Sequence, residues 1–294
     1  AYDRRYFSSI CQRRRNKNNR MNRVIVFFRK FFVFVKRGFF VFISYKIQLV
    51  LSIVSVFFSL ISFYFMVNFL DLQTFNPKLS SMGGNYLSFL VIGTIYVGLM
   101  SVGQSSFAET ISEEQSLGTL EQLFVSKTPL WQILVFSSIW NYLITIINMV
   151  LSIVIYNLFF NVKLDANILT SVVILVVSSI AMMGIGMLSA GFIMRYKRGD
   201  PISWILGLLT GLLSGIYYPV DILPSYLQAL SKILPPTYAI SALRKATLLN
   251  ATLTDVSQEL LILCIFALFT ITCGLLFFQY SFNQARKEGS LSWY

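Results

Sequence analysis

Six long runs of apolar residues without charge constrain this chain more than any other feature of its sequence. Each run reaches or exceeds the roughly 20 residues that a helix needs to cross the hydrocarbon core of a bilayer. The runs are continuous in Leu, Ile, Val and Phe, whereas the strands of a membrane barrel are shorter and alternate apolar with polar residues. The sequence therefore predicts an all-α integral membrane protein with six transmembrane helices. The predicted spans are residues 47–70, 86–108, 130–162, 166–194, 201–220 and 260–285.

Composition and charge support this class and give the chain an orientation. Hydrophobic residues make up 56% of the chain and the mean hydropathy is +0.69, both beyond the average of soluble proteins. With six spans and an inside amino terminus, 19 of the 24 Lys and Arg residues fall in cytoplasmic segments. We therefore expect a multi-pass protein of the plasma membrane with both termini in the cytoplasm. More than half of the basic residues lie before residue 47, which favours anionic membrane lipids over nucleic acid as their partner.

The amino-terminal 46 residues are basic and are predicted to stay outside the spans. Residues 1–20 contain few apolar side chains and are interpreted as a disordered basic arm. Within residues 21–46, Arg23, Lys30 and Arg37 recur every seven residues, which places the cations on one stripe of a helix and Phe and Val on the rest. This pattern predicts an amphipathic helix in the headgroup layer. A basic lead-in that only anchors the chain is the alternative, and residues 47–294 form the predicted transmembrane domain.

Several classes of chemistry are excluded by the residues that the sequence lacks. It contains no His, and its three Cys residues lie in the basic arm and the last span, so neither a catalytic triad nor a zinc site is indicated. No phosphate-binding GxxxxGK[ST] motif is present. The spans carry essentially no charged residue that could relay protons or ions. We therefore expect no catalytic, cofactor-binding or metal-binding residue in this chain.

Small residues and amides within the spans indicate where helices pack together. The fifth span contains GLLTGLLSG, whose three glycines recur at every fourth position and are predicted to form a close helix contact, within the chain or between subunits. A similar small patch, AMMGIGMLSAG, lies at residues 181–191 of the fourth span. Amides such as Gln104 are expected to form hydrogen bonds between helices. The glycines of the fifth span are Gly207, Gly211 and Gly215.

A polar and acidic stretch, SEEQSLGTLEQLFVSKTP, separates spans two and three on the predicted cytoplasmic side. It covers residues 112–129 and surrounds the apolar pair Leu120 and Leu123 with glutamates. A simple connection would need only a few small polar residues. The composition of this stretch therefore indicates a surface that contacts another protein.

The second informative stretch, residues 214–249, follows the fifth span on the predicted outer side. Pro219, Pro224 and the pair at 235–236 divide it into pieces too short to cross a bilayer, yet it is apolar at helical spacing. We expect two short helices within 221–249 that dip into the outer half of the membrane without crossing it. They are predicted either to cap the bundle or to gate a translocation path, with Arg244 and Lys245 reaching outer phosphates or an acidic group of a substrate.

Together the two stretches resemble the membrane subunits of ABC exporters of the ABC-2 type, closest to the drug-export and ion-export branch. The cytoplasmic motif of that family is matched by Glu114, Gly118, Thr119, Leu120, Glu121, Leu123 and Pro129. The outer motif is matched by Ser214, Gly215, Tyr218, Pro219, Leu223, Pro224, Leu234, Pro235, Thr237, Tyr238, Ala239, Ala242, Leu243 and Arg244. The order and spacing of the six spans fit the family as well.

The resemblance implies a non-catalytic permease subunit that borrows its energy from a separate ABC ATP-binding subunit. Residues 109–127 would form a coupling helix that docks in a groove of that subunit. The implied coupling residues are Glu109, Glu113, Glu114, Gly118, Thr119, Leu120, Glu121, Leu123 and Phe124. The implied outer gate consists of Tyr218, Pro219, Leu223, Pro224, Pro235, Tyr238 and Arg244.

The resemblance also implies the composition of the assembly. Two copies of the ATPase subunit would bind ATP and Mg, and a second permease chain, identical or related, would complete the path. The uncharged spans favour export of an apolar, amphipathic or lipid-linked substrate. A motor-independent carrier or a lipid-binding scaffold is the alternative, and inverted repeats with paired broken spans would favour the carrier.

Overall fold

The computed structural model describes residues 28–40, 42–44, 46–69, 86–119, 130–160, 166–196 and 199–287. All regular secondary structure within these ranges is helical, which confirms the all-α class. The long helices are α1 (Lys46–Phe69), α2 (Tyr86–Ser116), α3 (Leu130–Phe160), α4 (Ile168–Tyr196) and α8 (Ser257–Lys287). The short ones are α5 (Pro201–Leu213), a 3-10 turn (Val220–Ile222), α6 (Ser225–Ser231) and α7 (Pro235–Leu248).

Four apolar helices within the described ranges are long enough to cross a membrane. They are Tyr86–Ser116, Gln132–Phe159, Ile168–Tyr196 and Ser257–Lys287. Helix α1 has 24 residues and coincides with the first predicted span. The count of six spans is not confirmed and stays a prediction.

The expectation of one continuous helix over residues 201–220 is wrong. Helix α5 contains 13 residues, a length of about 20 Å at 1.5 Å per residue, which is shorter than the hydrocarbon core. Its end follows from local chemistry, because Gly215 adopts a φ of +76° and Pro219 cannot continue a helix. Asp200 caps the start, where its side chain accepts a hydrogen bond from the backbone N–H of Ser203.

The described residues up to Leu49 and those from Val50 onward belong to two different compact units. Residues 28–40 and 42–44 are helical, in agreement with the helix predicted over 21–46. Phe28 and Phe32 are exposed, and the Lys36 ammonium lies 5.7 Å from the centre of the Phe40 ring. The interfacial position of this helix stays a prediction. The basic arm at residues 1–20 lies outside the described residues.

Helices α4 and α8 make a close backbone contact at two glycines. A Cβ atom at Gly184 would overlap the backbone of Thr270, and one at Gly274 would overlap the carbonyl oxygen of Gly184. The Thr270 hydroxyl also donates a hydrogen bond to the carbonyl of Ala181 at 2.9 Å. The predicted small-residue patch at 181–191 is therefore confirmed as a packing face.

Two of the three glycines of GLLTGLLSG do not show the close helix contact that their spacing predicts. A Cβ atom at Gly207 or Gly211 would meet nothing within 4 Å, and Gly215 lies beyond the end of α5. A spacing of four residues aligns small residues on one side of a helix but does not specify what covers that side. Gly207 and Gly211 therefore have no close contact among the described residues, and the predicted packing role of this face, within the chain or between subunits, stays a prediction.

Candidate functional site

Residues 214–249, which we call the outer segment, form the most irregular part of the described chain. The two short helices predicted here are confirmed as α6 and α7. Pro224 is the cap residue before α6, and Pro235 is the first residue of α7. Proline is well suited to both positions because the first N–H groups of a helix have no partner inside it.

Four hydroxyl groups form hydrogen bonds that connect the outer segment to the end of α5 and join α6 to α7. Each donates to a backbone carbonyl at the end of α5 or of α6, where the helix itself offers few N–H partners. The donor and acceptor pairs are Tyr218 to Leu212 at 2.5 Å, Ser231 to Leu213 at 2.6 Å, Thr237 to Ser231 at 2.7 Å and Tyr238 to Lys232 at 2.9 Å. These bonds give Tyr218 and Tyr238, both predicted gate residues, a definite place in the segment.

Arg244 projects into the protein and not toward outer headgroups, which corrects the sequence-based expectation. Its side chain is 9% exposed, and Nη1 donates to the carbonyl of Gly215 at 2.6 Å. Nη2 donates to the carbonyls of Ile216 at 2.8 Å and Phe89 at 3.1 Å. The guanidinium carbon also lies 3.3 Å from the centre of the Phe89 ring. A guanidinium suits this position because it offers five N–H donors to several backbone carbonyls at once, two of them in the non-helical stretch after α5.

The charge of Arg244 persists in these surroundings. Burial lowers the pKa of its guanidinium to about 9, which leaves the group protonated at neutral pH. Its neighbour Lys245, also expected to reach outer phosphates, is 2.5 Å from the Glu259 carboxylate on α8. Both cations of the outer motif are therefore engaged within the protein.

The first two turns of α2 contact the backbone of the outer segment at Ile216 and Tyr217. The Tyr86 hydroxyl donates to the carbonyl of Tyr217 at 2.7 Å. A Cβ atom at Gly93 would lie 2.6 Å from the carbonyl oxygen of Ile216, so the backbones approach as closely as glycine permits. Sequence reasoning missed Tyr86, Phe89 and Gly93, because nothing in their spacing separates them from ordinary residues of an apolar span.

A cavity of about 580 Å³ lies between the outer segment, α2 and the first turn of α8. Three predicted gate residues line it, namely Pro219, Tyr238 and Arg244. Its other walls include both charged and hydroxyl-bearing side chains, among them Asp221 and Thr237. The remaining predicted gate residues, Tyr218, Leu223, Pro224 and Pro235, belong to the same segment but do not line this cavity.

The predicted coupling segment begins as part of α2 and not as a separate helix. Helix α2 continues to Ser116, so Glu109, Glu113 and Glu114 lie on its last two turns. The first two of these glutamates are exposed and Glu114 is buried. Residues 109–116 are therefore the last turns of α2, since no helix-breaking residue separates them from the span, and the coupling role of 109–127 stays a prediction.

A tight turn at Gly118 ends α2. Gly118 has a φ of +67°, and its N–H donates to the carbonyl of Gln115 at 3.0 Å. The N–H of Thr119 donates to the carbonyl of Glu114 at 3.0 Å, and the Thr119 hydroxyl donates to the Glu114 carboxylate. The other predicted coupling residues, Leu120, Glu121, Leu123 and Phe124, lie outside the described residues.

A polar cluster joins α2, α4 and the start of α5 toward the same end of the bundle. Gln104 Nε2 donates to the carbonyl of Ser203 at 2.7 Å, which confirms the predicted hydrogen bond between helices. The Asp200 carboxylate accepts from the N–H of Ser203 at 3.0 Å and from the Ser189 hydroxyl. The cluster fixes the start of α5, while the outer segment fixes its end.

These features define a multi-pass helical membrane protein whose helix α2 extends from the outer segment to an acidic turn at the other end. The sequence model of the ABC-2 family transporter proteins matches residues 68–276. Because this match covers more than half of the chain, the protein belongs to the ABC-2 family. The members of this family are membrane permease subunits of ABC transporters, which are generally non-catalytic and work with a separate ABC ATPase.

One characterised relative shares a shorter region with the chain. A linearmycin resistance permease protein of Bacillus subtilis is 29% identical over 96 residues, which is 33% of this chain. The chain spans 25% of the length of that relative.

Proposed function

We propose that this chain is the permease subunit of an exporter that moves an apolar, amphipathic or lipid-linked substrate out of the cell. The observation that carries the proposal is the family match over residues 68–276, since it includes both the GTLE turn and the whole outer segment. In this proposal the protein resides in the plasma membrane with both termini in the cytoplasm. Two ATPase subunits bind ATP and Mg, and a second permease chain, identical or related, completes the path.

The direction and the substrate class have separate support. The Bacillus subtilis relative is named for resistance to linearmycin, and an exporter provides resistance by carrying a compound outward. The uncharged spans favour substrates that need no buried ion pair, because an unpaired charge inside a bilayer is costly. The substrate class therefore follows from the composition of the spans.

Docking to the ATPase is assigned to the end of α2 and the residues after it. Glu109 and Glu113 are exposed on the last turns of the helix, where they are accessible to basic side chains of a partner. In the same proposal Leu120, Leu123 and Phe124 provide the apolar contact, with Glu121 beside them. Charge complementarity would orient the two subunits as they meet.

A charge reversal tests the docking assignment. Glu121→Lys is expected to weaken capture of the permease by its ATPase subunit and to abolish ATP-driven transport, because attraction at the interface becomes repulsion. Asp255→Lys makes the same change of charge at an exposed position between α7 and α8, and it should leave capture unchanged. Equal capture of the native chain and the Glu121→Lys variant would contradict the docking assignment.

Reconstitution without the ATPase tests the choice between motor and carrier. The purified permease in vesicles should transport no substrate until the ATPase subunit and Mg-ATP are added. Transport by the permease alone would favour the motor-independent carrier.

A further inference from the structure

We propose that Arg244 is the joint that transmits movement from the cytoplasmic end of α2 to the outer segment, with α2 acting as a rigid rod. This inference rests on the proposed function, since it explains how an ATP-driven displacement at one face of the membrane would reach a gate at the other. Arg244 is then a positioning residue and not a ligand for headgroups or substrate.

The first step is the continuity of α2. The helix contains 31 residues without proline, which gives a length of about 45 Å at 1.5 Å per residue. Its side chains are buried near both ends, from Leu87 to Ile92 and again from Ser106 to Ala108. An uninterrupted helix packed along its length moves as one body more readily than it bends, because sharp kinks arise mainly at proline, at glycine–serine pairs, at bulges or at inserted groups. Helix α2 contains neither a proline nor a glycine adjacent to a serine. A displacement at Ser116 is thus delivered to Tyr86.

The second step is the way in which Arg244 connects two elements. One guanidinium bonds to the carbonyl of Phe89 on α2 and to the carbonyls of Gly215 and Ile216 in the unwound backbone after α5. The same group stacks on the Phe89 ring, a cation–π contact that adds to the hydrogen bonds. Arg244 itself belongs to α7, so three separate parts of the chain meet at one side chain. Movement of α2 relative to the outer segment would break the hydrogen bond to the carbonyl of Phe89 and the stacking on its ring, and the loss of partners for a buried cation is unfavourable.

The third step is the lack of space around this joint. Ile216 lies so close to α2 that a single added methyl group at Gly93 would overlap its carbonyl oxygen. The Tyr86 hydroxyl adds a second connection, to the carbonyl of Tyr217. The unwound backbone is therefore held against α2 on successive residues. Tight packing of this kind transmits displacement and does not absorb it.

The test compares the Ser116 end of α2 with the outer segment in one complex. In the permease–ATPase complex in nanodiscs, with Cys11, Cys264 and Cys273 replaced, a single cysteine is placed at Ser112 or at Ser225, both exposed. The rate of reaction with a hydrophilic thiol reagent is measured without nucleotide and with ATP trapped. The native joint should give nucleotide-dependent rates at both positions. Arg244→Gln should keep the change at Ser112 and lose the change at Ser225, and a retained change at Ser225 would overturn the proposal.

A milder variant keeps the test decisive if Arg244→Gln does not assemble. Tyr86→Phe removes only the hydroxyl that bonds to Tyr217, and it should reduce the nucleotide-dependent change at Ser225. Tyr226→Phe makes the same change on an exposed ring of α6 and should reduce nothing. Equal responses of the two tyrosine variants would overturn the proposal.

The same experiment separates this inference from the proposed function. If the native complex transports with ATP and responds at Ser112 but not at Ser225, the gate and its link through Arg244 are both wrong while the permease function stands. If the complex shows no ATP-dependent transport, the proposed function itself fails, and the proposed joint fails with it.

Discussion

The Tyr86 end of helix α2 is held by residues far away in the sequence, whereas the turn after its Ser116 end is closed by local hydrogen bonds. At the outer end Phe89 and Tyr86 bond to Arg244 and Tyr217, more than 100 positions later. At the Ser116 end the N–H groups of Gly118 and Thr119 bond to residues of the preceding turn. The comparison indicates that one end of α2 is completed by the chain itself, while the other presents exposed acidic groups to which a partner can bind.

Replacing a glycine with alanine near each end of α2 should show this difference, and the largest loss of stability is expected at Gly93. Gly93→Ala should destabilise the protein by about 1–3 kcal/mol, because the added Cβ overlaps the carbonyl of Ile216 and lies 3.0 Å from Arg244. Gly98→Ala is the matched control on the same helix, since its Cβ would be 4.0 Å from the nearest atom, on Thr145. Thermal unfolding in detergent measures both, and equal melting temperatures would contradict the close approach at Gly93.

The corresponding glycine at the other end, Gly118, should respond to backbone strain alone. Gly118→Ala is expected to cost roughly 1–2 kcal/mol, because the residue has a positive φ although a Cβ would meet nothing within 4 Å. Gly118→Asn should cost less, since Asn tolerates the left-handed conformation better. If Ala and Asn have the same effect on the melting temperature, strain at the turn is not what requires glycine there.

The ion pair between Lys245 and Glu259 should contribute least to the stability of the protein. Lys245→Met removes the partner of Glu259, but the lysine side chain is 42% exposed and the pair is screened by solvent. We expect a loss of about 0–1 kcal/mol, and a weaker effect in high salt than in low salt. A loss larger than that of Gly93→Ala would contradict the ranking of contacts at this end.

The sequence predicts the helical class and the divided outer segment well, because apolar run length and proline positions act locally. It was wrong about the fifth span, although the Ser-Gly pair and Pro219 already mark the end of α5. It identified a true packing patch at residues 181–191 but also assigned one to Gly207 and Gly211, which have open space around them. Spacing identifies a smooth helix face, whereas the element that covers this face is decided by the tertiary fold.

Arg244 illustrates the same limit for a charged residue. In sequence it is a cation in an outer loop, for which a phosphate or an acidic substrate group is a natural partner. The structure places beside it the carbonyls that the end of α5 leaves without helical partners, and these carbonyls accept its hydrogen bonds. Such a role depends on where another helix stops, so the local sequence around Arg244 does not contain it.

The central claim, that the outer segment moves when ATP engages the opposite face, is tested most directly by thiol labelling at Ser241. This residue is exposed on α7 and lines the cavity beneath the segment. Ser241→Cys, in a background without other cysteines, should react with an impermeant external reagent at rates that differ between the nucleotide-free and ATP-trapped complexes. A cysteine at Thr254, exposed outside the outer segment, should react equally in both states. Identical rates at Ser241 in the two states would contradict the claim and leave the segment as a static cap.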